Sequence, residues 1–371
     1  MKRKTAVFMA FLASAGILAG VSGQEKEQEI LAAGQEETQA ESEAAAEDAA
    51  LEEAQEPENP DVPEIDTAVP IQAGTHIAVV SKNTKGSYWE QIHQGMKDAV
   101  RDVNVAYGFE KEEQVSMTFE GPDDETDVET QINTLDAVLS ENPDVLCLSA
   151  GDMNSCQAQL ETAMENGIPV VAFDSNVSES ELVAAYRGTD NIQLGKMAAE
   201  KLVQAIGEKG KIAVLSVQEK TQSIQERILG FTEEIAKYPD IEIVEMVYQD
   251  EVKDMNAAIQ GVLTLHPTLA GIFCSNADMA DLYLNLEKAE GSPTPVLVGV
   301  DGTKRQQEAV LAGEELGIVS QNPYAIGYQT IWAALRVSVE ELPEEDRNVI
   351  LEPVWIDAEN IENPAFDSYI Y

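Results

Sequence analysis

Asn142-Pro143 leads into the apolar run Asp144-Val145-Leu146-Cys147-Leu148 and then Ser149-Ala150-Gly151-Asp152-Met153; His266-Pro267 leads into a second such run and then Ser275-Asn276-Ala277-Asp278-Met279. Counted from the proline, Asp152 matches Asn276. Sixteen residues after each methionine stands another proline, Pro169 and Pro295, and each opens a β-branched run that closes on an aspartate, Asp174 and Asp301. One aspartate after a strand is most simply a turn former or helix cap. Its recurrence at matched places points instead to two halves built on one plan, with polar groups at the carboxyl ends of corresponding strands.

Around this repeat the chain alternates short apolar runs with helical patterns. The runs are His76–Val80, Val115–Phe119, Asp144–Leu148, Pro169–Phe173, Lys211–Ser216, Ile241–Tyr248, Leu269–Phe273, Pro295–Val300 and Leu316–Val319. Such alternation predicts βαβ units and parallel sheets covered on both faces. In such sheets ligands bind at the carboxyl edge, so two facing halves would bring Asp152, Asp174, Asn276 and Asp301 to one cleft. The length of 371 residues suits two cores better than one.

The first run is followed by Ser87-Tyr88-Trp89-Glu90, which fits a capping box with Ser87 at the helix entrance. That places Tyr88 and Trp89 on the crevice edge. Trp89 also continues the spacing Ile92, Met96, Ala99 or Val100, and Val103, so it belongs either to the core or to the cleft. Tyr88 is turned off that stripe and offers an aromatic face with a polar tip.

The ends carry other signals. Met1-Lys2-Arg3-Lys4, an apolar run from Ala6 to Ala19 and small residues up to Gly23 predict a secretory signal over residues 1–23. An uncleaved anchor is the competing reading, for which the run is short against a span of about 20 residues. Leu18-Ala19-Gly20 resembles the start of a bacterial lipoprotein box, but Val21 stands where the lipid-bearing cysteine belongs. From Gln24 to Thr67 sixteen acids face one lysine, and residues 24–74 are expected to form a disordered acidic tether. The net charge of −45 opposes nucleic-acid and anionic-membrane partners. Cys147, Cys156 and Cys274 have no metal spacing; Cys147 and Cys274 sit inside apolar runs and read as core residues, with a Cys147–Cys156 bond as the alternative.

Taken in order, Ile77-Ala78-Val79-Val80-Ser81 with the aromatic pair, Ile168 to Asp174, Gly188-Thr189-Asp190-Asn191 with Gly195, Gln225 to Phe231, Phe273 to Asn276, Val298 to Gly302, and Ser320-Gln321 resemble the periplasmic binding proteins of the ribose and galactose type, the solute receptors of ATP-binding-cassette (ABC) sugar importers. The resemblance implies an α/β fold of two similar doubly wound parallel-sheet lobes joined by a three-segment hinge. It divides the chain into residues 75–189 with 322–350 and residues 190–321 with 351–371, crossing near Thr189-Asp190, Gln321-Asn322 and Ile350. Tyr88, Trp89, Asp152 and Asp174 would face Arg227, Asp250, Asn276, Asp301 and, at the hinge, Gln321.

On that mapping Asp174 and Asp301 accept from adjacent hydroxyls, Arg227 donates a fork, and Asn276 and Gln321 do both. The plainer alternative for Arg227 is a surface pair with Glu226 or Glu233. Many relatives carry a basic residue directly after the aspartate, where this chain has Ser175, and an aromatic near Asp250. The acidic cleft that results disfavours phosphorylated ligands and admits amino sugars. The expectation is an exported, monomeric receptor for a sugar-like small molecule, serving an ABC permease, with no cofactor, no metal and no catalysis. A sensor presenting its ligand to a membrane receptor is the nearest alternative, and a glycoside-acting enzyme a more distant one. A lactose-repressor relative shares the lobes, but a secretion signal occupies the place of its DNA-binding helices.

Overall fold

The computed structural model describes residues 59–288 and 291–371. The signal, the lipoprotein-like box and most of the acidic segment lie outside the described residues. Five strands open the chain: β1 (His76–Val80), β2 (Ser116–Glu120), β3 (Val145–Leu148), β4 (Val170–Phe173) and β5 (Ala185–Thr189). Five more repeat them: β6 (Gly210–Ser216), β7 (Ile241–Tyr248), β8 (Leu269–Cys274), β9 (Val296–Val300) and β10 (Gly317–Ser320). With β11 (Asn348–Leu351) and β12 (Val354–Asp357) they make two sheets, ordered β11-β5-β4-β3-β1-β2 and β12-β10-β9-β8-β6-β7. Every pairing is parallel except β10 with β12. The two-lobed α/β fold is the one the repeat pointed to.

The strands alternate their side chains between two covered faces, which is why they read as continuous apolar runs. In β1, Ile77 and Val79 pack beneath α1 (Ser87–Tyr107), while Ala78 and Val80 pack beneath α2 (Val128–Ser140) and α3 (Gln157–Glu165). In β6, Ile212 and Val214 face α4 (Asn191–Ile206) and α5 (Gln222–Ile235). Ala213 and Leu215 face α6 (Met255–Leu265) and α7 (Ala277–Asn285) on the other side. Helices α8 (Lys304–Ala312) and α9 (Pro323–Val337) complete the layers, α9 returning to lie against α1.

Helices α4 and α5 meet at glycine on both sides. A Cβ on Gly195 would stand 2.0 Å from the Arg227 carbonyl oxygen, and one on Gly230 2.0 Å from that of Ile192. That close approach fixes where Arg227 sits.

The chain passes from one sheet to the other three times, between β5 and α4, between β10 and α9, and between β11 and β12. The last passage falls at Glu352-Pro353, just beyond Ile350. Residues 59–74, expected to be the end of a disordered tether, are instead packed. Val62, Ile65, Val69 and Ile71 lie on the first lobe's core, and the Tyr107 hydroxyl donates to the Val69 carbonyl at 2.6 Å. Four spaced apolar residues give this stretch the buried surface that the Glu-rich part upstream lacks. All three cysteines are buried and free, without the Cys147–Cys156 bond.

Candidate functional site

The loops at the carboxyl ends of both sheets face each other and are drawn together along one rim. Thr221 Oγ1 donates to the Gly151 carbonyl at 2.6 Å, Met153 N to the Lys220 carbonyl at 3.0 Å, and Asn176 N to Gln222 Oε1 at 3.1 Å. Ser175 and Ser223 share a hydroxyl hydrogen bond of 2.8 Å across the same seam. Behind the seam lies a cavity of about 550 Å³ lined by both lobes.

Two aspartates mark its matched walls. Asp174 ends β4 with φ of 59° and Asp301 ends β9 with φ of 81°, left-handed values that non-glycine residues adopt at a cost of about 1–3 kcal/mol. Each amide donates to the neighbouring strand, Asp174 to the Arg187 carbonyl at 2.8 Å and Asp301 to the Val319 carbonyl at 3.1 Å. The same backbone device in both lobes turns each carboxylate off the strand end and toward the cleft.

The two carboxylates are differently occupied. Asp174 accepts from the Tyr88 hydroxyl at 2.6 Å, the Lys82 ammonium at 2.9 Å, and the Ser175 and Ser149 hydroxyls at 2.9 and 3.2 Å. Burial alone would raise its pKa, but the ammonium and the tyrosine hydroxyl hold it below the ordinary carboxylate value. Asp301 accepts only neutral donors, Gln321 Nε2 at 2.7 Å and the Ala277 amide at 3.0 Å. Gln321 joins the lobes, since its Oε1 accepts from Thr189 Oγ1 at 2.9 Å.

Arg227 is buried and lines the cavity. Its Nε donates to Asn191 Oδ1 and its Nη1 to the Ser275 carbonyl, both at 2.8 Å, and no carboxylate lies within ion-pair distance of it among the described residues. It therefore makes no surface pair with Glu226 or Glu233; Glu233 pairs with Lys196. Asn276 caps α7 through Oδ1, accepting from the Met279 amide at 3.2 Å, and its side chain lines the cavity.

Tyr88 and Trp89 sit on the first turn of α1, rings 5.2 Å apart and edge to face. Trp89 is both things at once: packed in the first lobe's core and exposed at one edge to the cavity, where its indole N–H donates to Glu125 at 3.3 Å. The expected capping box is not formed. Gly86, at φ of 91°, is the N-cap and no side chain bonds the helix end. Glycine's freedom at positive φ brings the chain in one residue early, making Ser87 helical.

Asp152 and Asp250 are not brought to the cavity. β3 is two residues shorter than β8, so counting from the proline misaligned the repeat. Counted from the strand ends, Ser149 matches Ser275 and Asp152 matches Asp278, which does line the cavity. Asp152 itself accepts from the Asn154 amide at 2.9 Å in a loop that reaches α3 only at Gln157. Asp250 lies exposed in a single 3-10 turn, Gln249–Glu251, directly after the edge strand β7 and outside the cavity wall.

Sequence reading passed over Lys82, Glu125, Asp278 and Tyr371, all of which line the cavity. Lys82 stands two residues beyond the apolar β1, at the carboxyl end of a strand the sequence had marked. Its ammonium donates to Ser175 Oγ at 2.8 Å, so the cation missing after Asp174 arrives from another loop. Glu125 is pushed up by burial, in spite of Lys82. Desolvation between the walls, and then Glu125, push Asp278 up to about 7, although open surface on this residue screens that push. Tyr371, 6.2 Å from Tyr88, is held by its amide donating to the Gly302 carbonyl at 2.9 Å. No periodic pattern marks it.

The profile of the family described as "Periplasmic binding protein domain" matches residues 77–341. The ribose import binding protein of Escherichia coli strain K12 is 27% identical over 194 residues, covering 52% of this chain and 65% of that protein, a little under two thirds of its length. The D-allose-binding periplasmic protein of the same strain is 25% identical over 265 residues, covering 69% of this chain and 82% of that one. An ABC transporter solute binding protein from Agrobacterium vitis, solved with bound D-fucose, is 27% identical with a TM-score of 0.73, covering 80% of this chain and all of that one, 100%.

Proposed function

The chain belongs to the periplasmic binding protein domain family, and from that premise we propose that it is an extracytoplasmic receptor that captures a sugar or similar polyol between its lobes and hands it to an ABC importer. The observation that carries this reading is the cavity walled by both lobes, with Asp174 and Asp301 set at matched strand ends by the same strained backbone. The related proteins are solute receptors by their names, and this chain is read likewise as binding without turnover.

Tyr88, Trp89, Arg227, Asn276, Asp301 and Gln321 are the proposed contacts. Arg227 donates to ring or hydroxyl oxygens, Asp301 accepts from a hydroxyl pair, Asn276 donates through its free amide, and the aromatic edges meet C–H faces. Asp174, already given four donors, acts mainly by orienting Tyr88 and Lys82. A hydroxyl missing from the ligand leaves a buried partner unpaired, at about 1–3 kcal/mol. The ligand touches both lobes, so it favours the closed arrangement in proportion to its extra affinity for it. Among the described residues no helix is long and apolar enough to cross a membrane.

The test is a panel of monosaccharides, amino sugars and nucleosides followed by melting temperature and tryptophan fluorescence. A bound ligand raises the melting point and perturbs Trp89, with no product formed. A panel without any binder, or a glycoside consumed over time, would overturn the reading. Ligand uptake into vesicles carrying the cognate permease and ATPase tests the delivery step.

A further inference from the structure

Among the described residues the second lobe brings one aromatic ring to the cavity wall, and it comes from beyond β12. Tyr371 follows a 3-10 turn, Pro364–Tyr369, whose Tyr369 is buried in the second lobe with Val310 and Ile318. Two bonds seat this segment: Ser320 Oγ donates to the Tyr369 carbonyl, and the Tyr371 amide donates to the Gly302 carbonyl at 2.9 Å. Gly302 permits the approach, since a Cβ there would stand 2.7 Å from the Tyr369 carbonyl oxygen. Because Gly302 directly follows Asp301, the places of Tyr371 and of that carboxylate are fixed together.

A tyrosine ring over an apolar surface is most simply a cover for it. The Tyr371 ring does pack on the first lobe's core, 6.2 Å from the ring of Tyr88, and so carries the aromatic wall of Tyr88 and Trp89 across to Asp301. Packing leaves the hydroxyl unexplained. Its oxygen is buried beside the Asp301 carboxylate, yet it is outside hydrogen-bond geometry with that group and with every other among the described residues. Burial, and then Asp301, push its pKa well above the ordinary tyrosine value, so it keeps a proton to donate. A buried donor left unpaired is costly, and a ligand held by Asp301 would bring the missing acceptor.

Resting on the polyol-receptor reading, we propose that Tyr371 is a specificity-determining residue of the cleft, its hydroxyl donating to the same ligand hydroxyl from which Asp301 accepts. Phenol and carboxylate side by side offer one donor and one acceptor, which a single hydroxyl satisfies. A C–H satisfies neither, and an ammonium leaves the phenol's proton without an acceptor. The pair therefore selects a hydroxyl at that place over a deoxy or amino group.

The test is calorimetric titration of the full chain and of Tyr371→Phe with D-ribose, D-allose, D-glucose and D-galactose, then with the monodeoxy analogues of whichever binds most tightly. The variant keeps the ring and is expected to bind that sugar about 3- to 10-fold more weakly. At one position, the hydroxyl facing Asp301, deoxygenation is expected to cost the unaltered chain more affinity than it costs the variant, by the same factor, while the penalties elsewhere on the sugar stay as they were. A merely structural role would lower every affinity alike. Should Tyr371→Phe fold poorly, 4-fluorophenylalanine introduced at Tyr371 keeps the bulk of the hydroxyl and lacks its proton. An affinity unmoved by loss of the hydroxyl, or deoxy penalties unchanged at every position, would overturn the proposal and leave the receptor reading standing. No binding by any polyol of the wider panel would remove the receptor reading and this proposal together.

Discussion

Arg227 and Lys82 are both buried cations, and the structure gives them different work. Arg227 has neutral partners and a free edge toward the cavity. Replacing it, Arg227→Met, is expected to weaken ligand binding by roughly 10- to 100-fold, in line with about 1.5–3 kcal/mol for hydrogen bonds to a charged group; calorimetry that finds the affinity unmoved would contradict the assignment. Lys82 holds Asp174 at 2.9 Å with both side chains buried. Lys82→Met strands that carboxylate and should cost about 3–5 kcal/mol in urea unfolding, while the double change with Asp174→Asn recovers much of the loss. The pH sign follows from the lowered pKa of Asp174. Its stabilisation is present above its unfolded value near about pH 4 and fades as acid protonates the folded carboxyl; the Lys82→Met chain should show a weaker fade. Asp174 and Asp301 were legible because they end apolar strands at matched places. Asp278 was hidden by an offset of two residues between β3 and β8, and Lys82 because its partner Asp174 comes from a different loop far along the chain.

Among the elements, the nine apolar runs read from the sequence all became strands, and β5, β11 and β12 were not foreseen. β5 carries Arg187 and Gly188 within Ala185–Thr189, which breaks the apolar run. β11 and β12 are apolar but only four residues long, and stand at sheet edges where pairing with β5 and β10 completes the strand. β10 begins just after a buried acid, Glu315, whose Oε1 lies 3.4 Å from Gln306 Nε2 and whose Oε2 has no partner among the described residues. Burial pushes this carboxyl up to about 8. The folded form thus keeps a proton that the unfolded chain has lost, and stability should fall as pH rises between about 4.5 and 8. Melting curves across that range are expected to show the slope, and Glu315→Gln to flatten it. The packed stretch 59–74 is the other correction at this scale. Asp61 accepts from Asn322 at the hinge at 2.8 Å and from Tyr369 of the second lobe at 2.9 Å. A chain beginning at residue 75 should melt several degrees lower, by about 1 kcal/mol or more of lost burial; an unchanged melting point would show the stretch to be ornamental.

For the whole molecule, the repeat made the two-lobed fold readable, because each half repeats the strand order and ends corresponding strands in polar residues. The seam was not readable. Contacts such as Ser175 with Ser223 join loops from different lobes and depend on how far those lobes have closed. Closure on a polyol is the central claim. Its most direct measurement is the distance between spin labels at Glu129→Cys and Lys253→Cys, exposed sites beyond the edge strands β2 and β7 and outside the cavity wall. The native thiols, all buried, should leave the labelling clean. On saturation with the tightest polyol of the panel, the distribution should collapse to a single, shorter distance. A distribution identical with and without a polyol that demonstrably binds would contradict the account.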